Sequence, residues 1–77
     1  MITVNFENHY ETIEPVARVP TLQDAWEAIE VYLSKIKFPV YYYRTWDVTP
    51  TRRKVDYGSH SEFFLLDNDV PWEDTDN

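Results

Sequence analysis

Pro20 and Pro39 bracket one stretch with a helical hydrophobic period, and that stretch constrains the fold more than any other feature of the chain. Leu22, Ala25, Trp26, Ile29, Tyr32, Leu33 and Ile36 fall on one stripe at helical spacing. Thr21 is a natural N-cap, and Asp24 three residues later supplies a variant of the capping box. Lys35 and Lys37 complement the negative end of the helix dipole, and Pro39 forbids continuation while biasing Phe38 to an extended shape. The spacing predicts a helix over about 22–36.

Everything around this helix has a strand period. Ile2, Val4 and Phe6 alternate with Thr3, Asn5 and Glu7, and Asn8-His9 marks a turn. The return segment, Tyr10 to Val19, carries Ile13, Val16 and Val19; Pro15 removes a backbone donor and confines it to an edge or a bulge. After the helix, KFPVYYYRTWDV places Val40, Tyr42, Arg44 and Trp46 on one face and Tyr41, Tyr43 and Thr45 on the other. Aromatics on both faces predict a central strand, or one whose outer face touches something. A polar turn at 48–53, a strand from Lys54 to Tyr57, punctuation at Gly58-Ser59 and a strand from Glu62 to Leu66 complete the pattern. Gly58, the one glycine, marks a bulge or a backbone position needing positive φ. The expected fold is α+β: a small antiparallel sheet, ββαβββ or βαββ, with the helix across one face.

At 77 residues the chain can build one core, here residues 1–66. Residues 67–77 then form an acidic C-terminal tail without an apolar period, expected to fray. Hydrophobic residues make up 43% and aromatics 17%, which sets the chain apart from disordered sequences. Without cysteine there is no disulfide framework and no thiolate metal site. No basic region followed by a long apolar run opens the chain, and no apolar run approaches the ~20 residues of a spanning helix. The expectation is a soluble, cytoplasmic protein that does not engage membranes.

Chemistry is sparse. The segment from Asp56 to Glu62 sets His60 beside Ser59, Ser61 and two carboxylates, a general base or, with His9, a metal ligand in principle. The spacing supports neither, and one glycine cannot build a phosphate-cradling loop. The expectation is a non-enzymatic protein without catalytic residues, metal or cofactor.

Charge points instead to a binding partner. Fourteen acids against seven bases give a net charge of −7, which repels free nucleic acid and anionic membrane and attracts a basic surface. Two acidic surfaces are candidates for partner binding. On the helix, Asp24, Glu27 and Glu30 lie away from the apolar stripe with Val31 among them, an apolar anchor in a charged rim. In the tail, Asp67, Asp69, Glu73, Asp74 and Asp76 surround Val70-Pro71-Trp72. Trp72 either inserts into a partner's pocket or folds back over the sheet as a cap. A rival site gathers Arg44, Arg52, Arg53 and Lys54 around one hairpin beside aromatics, a constellation that can clamp a single strand.

The string RTWD followed by VDYGSHSEFF, after an aromatic YYY strand, resembles small acidic proteins encoded by phages and prophages of Gram-positive bacteria, over residues 1–66. The resemblance implies inhibition of a host nucleic-acid machine, as by anti-CRISPR proteins, restriction inhibitors or polymerase modifiers. The resulting expectation is an inhibitor whose carboxylates occupy positions that a host effector's arginines and lysines reserve for phosphates, a form of nucleic-acid mimicry without direct DNA binding. The alternatives are a nucleic-acid-binding accessory protein using the basic hairpin, and a phage structural or assembly protein.

Overall fold

A computed structural model describes residues 1–40, 42–59 and 61–74. Tyr41, His60 and Asp76, and the side chain of Asp74, which the sequence reading used, lie outside the described residues. The elements run β1 (Ile2–Glu7), β2 (Ile13–Val19), α1 (Leu22–Lys35), β3 (Arg44–Asp47), β4 (Arg52–Asp56), β5 (Phe63–Asn68) and a 3-10 turn (Trp72–Asp74). The strands form one antiparallel five-stranded sheet in the order β2-β1-β5-β4-β3, with α1 against one face, an α+β fold of the expected ββαβββ order.

Local chemistry sets the boundaries of the elements. The β1–β2 hairpin turns on Asn8, whose Oδ1 accepts from the amides of Tyr10 and Thr12, while Glu11 takes positive φ at 65°. Pro15 sits in edge strand β2, and the register shifts beside it, so both roles open to this proline are used. Thr21 caps α1: its Oγ1 accepts from the Asp24 amide at 3.1 Å and donates to the Asp24 carboxylate at 2.9 Å. At the other end Phe38 N donates to Leu33 O and Lys37 N to Ser34 O, with Lys37 at φ 57°, a left-handed closure on a residue other than glycine. Gly58 adopts φ 102°, and its amide donates to the Asp56 carboxylate at 2.8 Å.

The two faces of the sheet differ sharply. Ile2, Val4, Phe6, Val55, Phe64 and Leu66 are buried on the helix side with Ala25, Ile29 and Leu33. Phe6, Tyr32 and Phe64 pack ring to ring at 4.9–5.4 Å. The outer face carries Thr3, Asn5, Glu7, Arg18, Arg44, Trp46, Arg52, Lys54, Asp56, Phe63 and Asp67 by register, around a buried Leu65.

Three sequence expectations need correction. Only Arg44–Asp47 of the aromatic run is strand, and β3 lies at the edge of the sheet rather than its centre. Its inner aromatic, Tyr43, packs edge-on to Trp26 at 4.9 Å, so the helix is what one face of the run touches. The tail does not begin at 67: Asp67 and Asn68 finish β5, which pairs with both β1 and β4. Of the two courses open to Trp72, insertion into a partner's pocket does not fit. Trp72 is 2% exposed, its amide donates to Pro50 O at 2.8 Å, and its indole Nε1 donates to Leu66 O at 3.3 Å. Its ring lies 4.4 Å beneath the Arg53 guanidinium. The fold-back alternative holds because a large ring gains more from the helix-side core than the short connection from β5 costs to order.

A candidate partner-binding groove between the helix and the free sheet edge

The basic hairpin is internally neutralised. Arg44 pairs with Asp56 at 2.9 Å, Arg52 with Asp67 at 2.7 Å, Arg53 with Asp47 at 2.8 Å and Lys54 with Glu7 at 3.0 Å. The register also divides the four cations: Arg44, Arg52 and Lys54 project from the outer face, whereas Arg53 stacks on Trp72 on the helix side. With Arg18 on Asp69 at 3.1 Å, the outer face alternates four cations with four carboxylates. The hydrogen bond from Arg44 to Asp56, and the charge of that carboxylate, raise the arginine's pKa; Asp56 itself is 1% exposed. Trp46, 43% exposed, meets Phe63 on this face at 6.2 Å.

The tail acids divide in the same way. Asp67 accepts from Arg52 Nε and Nη2 and from Asn5 Nδ2 at 2.7–3.1 Å, a bidentate ion pair spanning three strands. Asp69 is held below the ordinary carboxylate range by a hydrogen bond from the N-terminal ammonium and by the charge of Arg18. These two carboxylates, expected to meet a partner, are occupied within the fold. Glu73 is exposed.

The helix acids have another fate. Five of the seven Lys and Arg side chains are paired as above, and among the described residues Glu11, Glu14, Asp24, Glu27, Glu30 and Glu73 enter no ion pair. All of these but Glu73 belong to the β1–β2 turn, β2 or α1. Asp24, Glu27 and Val31 line a groove of about 450 Å³ between α1 and β2, with Val16, Ala17, Val19, Ala28, Tyr32 and Lys35. Val31 is 52% exposed above an apolar floor. Burial first, then the carboxylates of Glu14 and Glu62, raise the pKa of the Tyr32 hydroxyl; Glu14 stands opposite Phe6 in the β1–β2 register, and the Phe6 ring stacks on Tyr32 at 4.9 Å.

Glu30 does not join this cluster. The helix advances roughly 100° per residue, so each step of three residues falls back by about 60°. From Asp24 to Glu30 that drift carries the carboxylate to the opposite flank, where its charge adds to burial in raising the pKa of Tyr43. Sequence reasoning named Asp24, Glu27 and Val31 and missed the β2 wall, Ala28, Glu14 and the role of Tyr32. Ala28 left a signal: a small residue beside the apolar stripe gives no bulk to close the gap over β2.

Among the described residues no three His, Cys, Asp or Glu side chains converge as metal ligands would, and no helix is long and apolar enough to cross a membrane. Comparison with protein-family models, curated proteins and solved structures finds nothing that matches this chain.

Proposed function

We propose that this protein is a non-enzymatic binding module that presents the acidic α1–β2 side to a basic protein surface. In its most specific form it is a phage-type, anti-CRISPR-like inhibitor that occupies the nucleic-acid-binding surface of a host effector. One observation carries the reading: five cations are paired within the fold, while Asp24 and Glu27 line an apolar groove in which Lys35 is the one cation, and Glu14 stands on the adjoining strand β2. Carboxylates there stand where phosphates would stand on the partner, and opposite fields speed encounter at low salt.

The test uses purified basic effectors of the host, each loaded with a fluorescent duplex. Added protein releases the duplex, less well as salt rises. The double variant Glu14→Lys with Glu27→Lys requires about tenfold more protein for the same release, a loss of about 1.4 kcal/mol. Glu73→Lys changes little. Release by the double variant equal to that of the parent protein sinks the proposal, as does failure to release any effector's duplex.

A further inference from the structure

The groove has a free strand as one wall. β2 ends the sheet, so among the described residues no strand pairs with its far edge, and α1 overlies β1 and β2. Asp24, Ala28, Val31 and Lys35 lie on the flank of the helix that borders this edge, beside the buried stripe of Ala25, Ile29 and Leu33. A strand added beside β2 places every second side chain into the groove, because strand side chains alternate between faces. Pro15 and the neighbouring register shift remove regular pairing on one side, confining an added strand to the stretch from Val16 to Val19.

Charge selects the occupant. A second copy of this chain brings the same acidic rim and a net charge of −7, and nucleic acid brings more negative charge. An extended protein segment with lysine or arginine two positions from an apolar residue fits both features. Its apolar side chain meets Val16, Ala17, Val19 and Ala28, while the basic side chain, on the same face, reaches Asp24 and Glu27.

We propose that the partner is engaged by β-strand addition: an extended basic segment pairs with β2 at Val16–Val19 and inserts one apolar side chain beneath α1. The inference rests on the acidic-surface reading above and adds a backbone-directed mode of recognition to it.

The test titrates the full isotope-labelled chain with a capped peptide of core sequence Lys-Thr-Val-Thr-Lys, followed by amide NMR shifts. Saturable shifts are expected along Val16–Val19 and at Ala28 and Val31. Methylation of alternate peptide nitrogens, which removes strand pairing and keeps the charge, weakens binding by about tenfold. Ala28→Phe, checked for folding by its thermal melt, fills the groove and abolishes the shifts; Val31→Gln, at a more exposed position, weakens them. Equal affinity of the methylated peptide overturns strand addition and leaves the acidic surface standing. Binding retained when both lysines become glutamates overturns the acidic surface itself. Absence of shifts at Val16–Val19 with either peptide overturns the strand proposal, and duplex release by the unaltered protein then tests the acidic surface independently.

Discussion

The C-terminal segment and the α1–β2 groove carry the same kinds of residue, carboxylates beside an apolar anchor, and use them in opposite ways. In the C-terminal segment the anchor is Trp72, buried against Leu66 and Arg53, and Asp67 and Asp69 bind Arg52, Asn5, Arg18 and the N-terminal ammonium. At the groove the anchor is Val31, half exposed, and Asp24 and Glu27 meet no cation among the described residues. Acidic composition therefore does not locate a binding surface. What locates it is a cluster of unpaired carboxylates around an apolar groove, left over after five of the seven cations have been paired within the fold.

The strongest way to break this comparison is Trp72→Ala. Removing a buried indole from the helix-side core costs about 3–5 kcal/mol, read by urea unfolding. An unchanged midpoint with lost partner binding would make the C-terminal segment the docking arm after all. Next in size is Asp67→Ala, which strands Arg52 and Asn5 on the outer face. The bidentate geometry and partial burial give a loss of about 1–2 kcal/mol in the same measurement. A neutral result removes the structural role assigned to this carboxylate.

The groove acids should invert that pattern. Glu14→Gln with Glu27→Gln keeps stability within about 0.5 kcal/mol, since neither carboxylate is tied into the fold, while weakening attachment to a basic partner about fivefold. A large fall in stability would place these residues with Asp67 and erase the contrast. The smallest effect concerns acid. Asp69 has a lowered pKa in the folded state, so at low pH the unfolded chain takes up its proton first. Its contribution is present above the ordinary carboxylate pKa of 3.8 and is lost as pH falls through the folded value. Asp69→Asn should flatten that part of the acid limb of a stability–pH profile. An unaltered limb means the N-terminal ammonium does not bind it.

Particular residues explain how far the sequence could be read. Thr21, Asp24 and Pro39 announced α1, Pro15 announced an edge strand, and Gly58 announced a positive φ, because each acts within a few residues of itself. The centre of the sheet was not legible. β5 lies between β1 and β4, and no local feature of FFLLDN states which strands flank it. For the same reason the aromatic run suggested a central strand or one with a contacted face, whereas its strand part, Arg44–Asp47, is the edge of the sheet, and Tyr43 before it packs on Trp26. Of the candidate site, the helix half was readable from spacing, and the β2 half was not.

Local sequence determined the helix and its ends, the first hairpin and the excess of negative charge, since capping, proline geometry and side-chain period operate at short range. Tertiary structure alone decided which carboxylates stay outside an ion pair and that Trp72 turns inward. The pairs Arg52–Asp67, Lys54–Glu7 and Arg18–Asp69 join residues far apart in the chain, and only strand register brings them within hydrogen-bonding reach.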